Sequence, residues 1–329
     1  GTKEYKVRWK GDYAPSWEPE ALLNCPKLVA EFHVSKGKRD RRQVQLIVAR
    51  NNPASPLAGE GEEAAPSTAV TIQADLLEFS AAGLLQKICD DASIDPKDLL
   101  IVWASPPCRT FSPADYSNIS RNNNFRDHTD PTRPPTRSNP AKAAIARDHD
   151  LLVQRIWEFI DHCRTVGADA RCCMENPRGS LACREYMQVG QLPQRIRQVT
   201  VDQCAFGRDY RKATDLWHDV PSWRPSGRTG DGRCHGRCGK GYVKNGFFRH
   251  HKALAMEPIR GPRGRGHTKE KNALPVELLE EFALEVMRTT SNLEGRVVLD
   301  LCAGFQSWAP VAAKLGCKYV AVDVLGARR

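Results

Sequence analysis

The stretch LLIVWASPPCRTFS, residues 99–112, decides the fold prediction for this chain. Its apolar residues 99–103 form a short continuous run, which is typical of a strand buried inside a parallel sheet. The two prolines that follow cannot continue a hydrogen-bonded ladder, so they hold a stiff loop. Ligands of open α/β sheets bind at this carboxyl end of the strands. Cys108, directly after the prolines, is therefore a candidate nucleophile, although a lone cysteine is more often a small core residue.

The composition predicts one large domain and a smaller one. The chain has 329 residues, 40% of them hydrophobic, which is enough for a sizeable core. Its net charge of +10 indicates a polyanionic partner. The 12 cysteines are sparse for a secreted disulfide scaffold, and we see neither a signal peptide nor a run of about twenty apolar residues. We therefore expect an intracellular, reduced protein with no membrane partner.

An α/β pattern runs over residues 70–329. Predicted strands lie at 70–75, 99–103, 171–174, 296–301 and 319–322, and predicted helices lie at 81–92, 141–166, 274–287 and 308–315. Residues 296–323 read as strand, glycine turn, helix and strand ending in Asp323, which is half of a nucleotide-binding unit. Gln306 stands where a second glycine is usual, so this loop would approach a ligand less closely.

Three motifs resemble those of DNA cytosine-5 methyltransferases. Pro-Pro-Cys with Phe111-Ser112 is similar to the nucleophile motif, and Glu175-Asn176 is similar to the Glu-Asn motif of that family. The string DLCAG at 300–304 resembles the loop that binds S-adenosylmethionine (SAM) in methyltransferases. The resemblance covers roughly residues 70–329 and implies a Rossmann-like SAM-dependent methyltransferase sheet.

The resemblance also implies the chemistry and the cofactor. Cys108 would attack C6 of a cytosine that has left the base stack, and Glu175 would hold the ring nitrogen and the exocyclic amine. C5 would then take the methyl group from SAM, and loss of the C5 proton would release the enzyme. Asp323 would hold the ribose and Asp75 would lie near the adenine amine. The full set of implied cofactor-binding residues is Asp75, Ser105, Pro106, Asp300, Cys302, Gly304 and Asp323.

Basic segments near these motifs are candidate DNA contacts. Residues 199–217 are closest to a phage-type subgroup of the family, which makes Arg211 a third catalytic candidate and Lys212 a DNA contact. Residues 218–270 form a basic insertion and a candidate target-recognition region, and their Arg-rich end suits a loop along DNA phosphates. The DNA-contact candidates are Arg109, Arg211, Lys212, Arg263 and Arg265.

The insertion also contains weak candidates for a metal site. Cys234, His235 and Cys238 stand at near-ligand spacing, and Cys204, His250 and His251 could complete a zinc site. Because the spacing is not that of two CxxC knuckles, we favour the absence of a metal.

Residues 1–33 are predicted to be a separate small module. Apolar and charged residues alternate over 5–9, a second strand starts at 16, and a short amphipathic helix follows. The strings YKVRWKG, SWEP and CPKLVAEF resemble the second half of a chromodomain, which implies a partial aromatic cage for a methylated lysine of a histone tail. Trp9 and Tyr13 are the cage candidates, although Trp9 could equally be a core residue. Residues 34–69 are predicted to be a basic, flexible linker.

The order of the motifs is rotated relative to most cytosine-5 methyltransferases, in which the SAM loop comes first. Here Cys108 and Glu175 precede Asp300 and Asp323. A parallel sheet tolerates a different cut point if the cut falls in a surface loop. The sequence therefore predicts a circularly permuted domain, and a nuclear location follows from DNA as substrate and the chromodomain resemblance.

Two other functions stay open. Methyltransferases that act on adenine N6 or cytosine N4 also use Ser-Pro-Pro, but with an aromatic residue in the place of Cys108. The second alternative is an inactive methyltransferase-fold protein that binds DNA or chromatin, which Gln306 would fit. An RNA substrate is open as well.

Overall fold

The computed structural model divides the chain into two compact units, residues 1–63 and 64–329. The residues that it describes are 4–9, 16–19, 47–48, 69–112, 125–126, 140–188, 191–193, 195–251, 273–290, 293, 295–304 and 306–324. Within these ranges, no helix has the length and apolar character needed to span a membrane.

The N-terminal unit contains a three-stranded sheet. Strand β1 (Glu4–Trp9) pairs antiparallel with β2 (Ser16–Pro19) and parallel with β3 (Ile47–Val48). The first two strands are those that the alternation predicts. Strand β3 falls within the segment 34–69 that we predicted to be a linker, and the first compact unit comprises residues 1–63. The amphipathic helix and Tyr13 lie outside the described residues.

A seven-stranded sheet forms the centre of the second unit. Its strands are β4 (Ala69–Ala74), β5 (Leu99–Ala104), β6 (Arg171–Pro177), β7 (Arg197–Asp202), β8 (Ala213–His218), β11 (Val297–Leu301) and β12 (Lys318–Val324). Their spatial order is β4-β12-β11-β5-β6-β8-β7. The first five run parallel, and β8 is antiparallel to both of its neighbours. The prediction of an α/β fold with a mostly parallel sheet is confirmed.

Helices cover both faces of this sheet. They are α1 (Ala81–Ala92), α2 (Pro140–Thr165), α3 (Val276–Met287) and α4 (Ala309–Lys314). Helices α1 and α2 pack on one face and α3 and α4 on the other, in two separate cores. Val102 and Trp103 of β5 enter opposite cores, which explains why the strand is apolar at every position.

Aromatic rings join α3 to the sheet and to the start of the predicted insertion. The ring centroids of Trp103 and Phe282 lie 5.4 Å apart, and those of Trp223 and Phe282 lie 4.8 Å apart, both edge-to-face. Each such pair contributes about 1 kcal/mol beyond area burial. Residue 223 belongs to the segment 218–270, so the beginning of that insertion is part of the core. The segment also contains an antiparallel hairpin of β9 (Gly241–Lys244) and β10 (Phe247–His250).

Candidate active site

The loop after β5 is held by hydrogen bonds from both sides. The Ser105 N–H donates to the Leu301 carbonyl at 3.1 Å, which ties the loop to the end of β11. On the other side, the Asn176 amide donates to the Pro106 carbonyl at 3.0 Å, and Asn176 is fully buried. Cys108 then opens a single 3₁₀ turn. The thiol therefore stands on a loop fixed to the strands β11 and β6 on either side of β5.

A network of buried charges fixes the far end of the same loop. The Arg126 guanidinium donates to the Thr110 carbonyl at 2.6 Å and to both carboxylate oxygens of Asp150 at 3.0 Å. It also stacks on the Phe111 ring, 4.4 Å from the centroid. Arg184 donates to the same carboxylate at 3.0 Å. These contacts join the turn that contains Cys108 to helix α2.

A cavity of about 420 Å³ opens at the carboxyl ends of β5, β6, β11 and β12. Its volume falls in the range of small-molecule sites. Ten of the candidate residues named from the sequence line it: Ser105, Pro106, Cys108, Arg109, Glu175, Lys212, Asp300, Cys302, Gly304 and Asp323. The candidate nucleophile Cys108 and the candidate cofactor residue Asp300, which are 192 positions apart in sequence, thus line one cavity.

Burial raises the pKa of the two central acids of the cavity. It raises the pKa of the Cys108 thiol, and the Glu175 carboxylate adds to the rise while the Lys212 ammonium opposes it. Burial likewise raises the pKa of Glu175, against the ammonium of Lys212 and a hydrogen bond from Ser105. Within the described part of the chain, Glu175 Oε2 is buried without a hydrogen-bond partner. Such an oxygen can accept a hydrogen bond from a ligand.

The opposite wall of the cavity is acidic. Burial raises the pKa of Asp300 to about 7, although the Tyr319 hydroxyl donates a hydrogen bond of 2.9 Å to its carboxylate. Asp323 lies at the end of β12, near enough to raise the same pKa. Cys302 and Gly304 adopt positive φ angles of 59° and 44°, so the backbone makes a tight turn between the two acids.

Gln306 also adopts a left-handed conformation, with φ 51°, at the position where a second glycine is usual. Its side chain donates to the Thr71 hydroxyl at 3.2 Å on the neighbouring strand β4. The glutamine therefore takes a backbone conformation that normally favours glycine, held by a contact with the sheet.

Two predicted site residues do not line the cavity. The Asp75 carboxylate accepts the Leu77 N–H at 3.0 Å and so stabilises the turn after β4. Arg211 donates to the Asp202 carboxylate at 3.0 Å instead of facing Cys108. The roles of Asp75 beside the cofactor and of Arg211 beside the base stay predictions that the lining of this cavity does not support. The side chains of Trp9, Tyr13, Arg263 and Arg265 lie outside the described part of the chain.

Of the weak metal candidates, Cys234 and Cys238 lie together with Cys204 and His250. His235 is not part of this group, because its imidazole faces the Asp231 carboxylate at 3.4 Å. The group does not line the cavity around Cys108.

Comparison with known proteins shows similarity to one methyltransferase sequence at low identity. No family model matches the chain. A protein of Frog virus 3 (isolate Goorha), described as "Probable DNA (cytosine-5)-methyltransferase", is 28% identical over 198 residues. The match covers 57% of this chain and 77% of the viral protein. The chain is thus a low-identity homologue of a DNA methyltransferase. This homology supports methyltransferase function, and cytosine-5 specificity rests on this relative.

A solved structure described as the "crystal structure of M1.HpyAVI-SAM complex" also aligns with the chain. The alignment covers 79% of this chain and 95% of that one, with 9% identity and a TM-score of 0.32. A likeness at this level carries no argument about the reaction or the substrate.

Several residues of the cavity were not selected from the sequence as site residues. Trp308 and Ser307 line it, and Trp308 packs on Trp103 with centroids 5.2 Å apart. Their position at the start of α4, directly after the DLCAG turn, is the signal that could have indicated them. The contact of Asn176 with Pro106 joins residues 70 positions apart, which no local pattern shows.

Proposed function

We propose that this protein is a SAM-dependent DNA cytosine-5 methyltransferase in which Cys108 bonds covalently to the target base. The observation that carries the proposal is the shared cavity. Cys108, Glu175 and Lys212 line one side, and Asp300 and Asp323 line the side formed by β11 and β12. A methyl donor and a cytosine held there would be neighbours.

The acidic wall fits the proposed cofactor. Asp323 ends a parallel strand, where acids commonly receive ribose hydroxyls. SAM carries a sulfonium and an ammonium group, and the carboxyls of Asp300 and Asp323 are complementary to positive charge. The tight turn at Gly304 leaves backbone at the cavity wall without a side chain. When bound, SAM would supply an electrophilic methyl group.

The residues around Cys108 fit attack at C6 of cytosine. Lys212 lowers the pKa of the Cys108 thiol against the effect of burial, so it favours the thiolate that forms the bond. Burial raises the pKa of Glu175, which favours a protonated carboxyl that can donate to ring nitrogen N3 as negative charge develops there. Its second oxygen can accept from the exocyclic amine. This pairing would exclude thymine, which has a carbonyl in place of the amine.

Bond changes in the proposed cycle balance. The Cys108 thiolate would bond to C6, and the electron pair of the C5–C6 double bond would form the new C5–methyl bond as the bond from the methyl group to the sulfonium sulfur of SAM breaks, which leaves a neutral thioether. A base then removes the C5 proton, the double bond reforms and the C6–S bond breaks, which returns Cys108 as a thiolate. The cytosine must leave the duplex stack to reach the cavity. Arg109, exposed beside the nucleophile, would contact DNA phosphate.

We propose further that the domain is circularly permuted. We number the strands one to seven in the order β11, β12, β4, β5, β6, β7 and β8. Their spatial order across the sheet is then three-two-one-four-five-seven-six. The first five agree with the doubly wound order of dinucleotide-binding folds. On this count, the strand that precedes the cofactor turn is the first strand, as it is in the nucleotide-binding unit.

The proposal for the N-terminal unit is a partial chromodomain in a nuclear protein. The antiparallel pairing of β1 with β2 supports it. A titration with a trimethyl-lysine peptide, with and without Trp9→Ala, tests the cage. Binding that is lost in the variant supports a cage, and no binding by the wild type contradicts it.

Methyl transfer from labelled SAM to unmethylated and hemimethylated DNA, read by nucleoside mass spectrometry, tests the enzymatic proposal. We expect 5-methylcytosine from the wild type and from Cys183→Ser, which changes an exposed cysteine far along the chain. We expect none from Cys108→Ser. Methylation of adenine N6 or cytosine N4, or DNA binding without any methyl transfer, would overturn the proposal.

A further inference from the structure

Four potential metal ligands converge beside the hairpin β9–β10. The sulfurs of Cys204, Cys234 and Cys238 and a ring nitrogen of His250 all lie within 4.8 Å of one another. His250 Nε2 is 3.3 Å from the sulfurs of both Cys234 and Cys238. The three cysteines are buried. These residues come from three separate segments of the chain, so the fold and not the local sequence brings them together.

The donor set and its spacing match zinc. Three thiolates and one imidazole are a standard ligand set of closed structural zinc sites, whose tetrahedral geometry with Zn–S near 2.3 Å puts the ligand atoms about 3.8 Å apart. The Cys234 and Cys238 sulfurs are 3.4 Å apart, close to that separation. A disulfide needs a separation of about 2.05 Å, so these two sulfurs are not bonded to each other. Sulfur-rich sites of this kind select against magnesium and calcium.

Two glycines with left-handed backbone conformations lie in the loop that brings the sulfurs of Cys234 and Cys238 together. Gly236 and Gly239 adopt φ angles of 77° and 70°, which L side chains rarely take. A Cβ at Gly236 would also lie 3.2 Å from the Phe248 ring of β10. The backbone at Gly236 hydrogen-bonds the Cys234 sulfur, as in the turns that hold metal thiolates. Conformation therefore favours glycine at both positions, and the close approach of Phe248 adds to this preference at Gly236.

The cluster is connected to the wall of the active-site cavity. Asp202, at the end of β7, accepts the Cys234 N–H at 3.0 Å and the Arg211 guanidinium at 3.0 Å. The N–H of the next residue, Gln203, donates to the Lys212 carbonyl at 3.0 Å. Lys212 lines the cavity beside Cys108. An ion that fixes Cys204 and Cys234 would thereby fix the backbone that carries Lys212.

We propose that Cys204, Cys234, Cys238 and His250 bind one structural Zn²⁺ ion that fastens the hairpin β9–β10 to the end of β7. Binding releases the three thiol protons, and the resulting site of net charge −1 lies beside the guanidinium of Arg211. The four protein ligands close the coordination shell, so the ion holds structure and does not activate water. This proposal differs from the expectation that the insertion binds no metal, and its histidine ligand is His250 and not His235.

Metal analysis of the full chain, purified without a metal-affinity tag, tests the proposal. We expect about one zinc per chain in the wild type. We expect loss of that zinc in Cys238→Ser and His250→Ala. Two matched controls should keep it: Cys183→Ser, an exposed cysteine, and His251→Ala, the exposed neighbour of His250. Wild-type protein without zinc, or zinc retained in both ligand variants, would overturn the proposal.

A second measurement on the wild type covers the case in which the ligand variants do not fold. Zinc is removed with a chelator and Co²⁺ is titrated in its place. We expect the intense visible bands of tetrahedral cobalt and a thiolate charge-transfer band, saturating at one equivalent and abolished by zinc. Weak octahedral bands alone would overturn the proposal. Neither readout depends on methyl transfer, so the zinc site and the enzymatic proposal can fail separately.

Discussion

At the scale of single residues, Glu175 shows how burial changes the chemistry of a carboxyl group. Desolvation raises its pKa, and one of its oxygens is buried without a partner among the described residues. Desolvation disfavours the charged form, so this carboxyl takes up a proton more readily than it would in water. The sequence shows an acid at the end of a strand, but only the fold shows the burial that gives it this chemistry.

Replacement of Glu175 by Gln separates hydrogen bonding from proton donation. The amide keeps the shape and can still contact the base, but it cannot transfer a proton to N3. We expect the single-turnover rate of methyl transfer to fall by about 10²–10⁴-fold, with DNA affinity close to that of the wild type. Rapid-quench kinetics and DNA titrations measure the two quantities. A variant with a rate near that of the wild type would remove Glu175 from the mechanism.

Asp300 predicts a pH dependence of SAM binding. Its pKa is raised to about 7 by burial, so below that pH most molecules carry a proton that a cationic ligand must displace. Affinity should therefore rise with pH between about 6 and 8, by at most about tenfold per unit on the acid side. Calorimetry at several pH values measures it. The dependence should disappear in Asp300→Asn and persist in the control Asp231→Asn, an exposed acid; a flat wild-type profile would contradict this role.

At the scale of elements, the patterns predicted most of what the backbone does. Helix α1 has the predicted bounds because Ser80 caps it, its hydroxyl accepting the Gly83 N–H at 3.1 Å. The buried strands were found from their apolar runs. The patterns did not predict the directions of the side chains. Asp75 follows its strand as predicted, but its carboxylate accepts the Leu77 N–H. Contacts between distant segments, such as Asn176 with Pro106, follow only from the packed sheet.

The network around Arg126 should be a main support of the loop that carries Cys108. Arg126→Met leaves Asp150 buried with fewer partners, so we expect the free energy of unfolding to fall by about 3 kcal/mol. Arg155→Met, which removes an exposed ion pair with Glu158 on the same helix, should change it by less than about 0.5 kcal/mol. Urea denaturation measures both. Equal effects of the two substitutions would show that the network does not stabilise the fold.

At the scale of the whole molecule, the sheet explains how a rotated motif order can build one site. The sequence predicted that rotation from three motifs, and the strand order of the sheet supports it. The sequence named Cys204 and His250 among the residues that could complete a metal site, but their separation of 46 positions did not show that they meet Cys234 and Cys238, which the folded chain brings about. Ligand spacing in sequence is informative only when the ligands share one turn.

A permuted form of the full chain tests the topology. Arg329 is joined to Gly1 and the chain is opened before Gly295, so that β11 and β12 come first and residues 1–68 connect β12 to β4. These strands are parallel neighbours, whose connection needs a dozen or more residues, and this segment is long enough. We expect cooperative unfolding and SAM affinity within about threefold of the original. A permutant opened inside β5 should not fold; failure of the first permutant would contradict the topology.

The central claim is that Cys108 forms a covalent bond with C6 of cytosine, and trapping that bond tests it most directly. DNA with 5-fluorocytosine cannot lose the C5 substituent as a proton, so the cycle stops after methyl transfer with the C6–S bond intact. We predict a SAM-dependent, denaturation-resistant complex whose modified peptide contains Cys108, absent with Cys108→Ser and present with Cys183→Ser. A complex that still forms with Cys108→Ser, or methylation of ordinary DNA with no trapped complex, would contradict it.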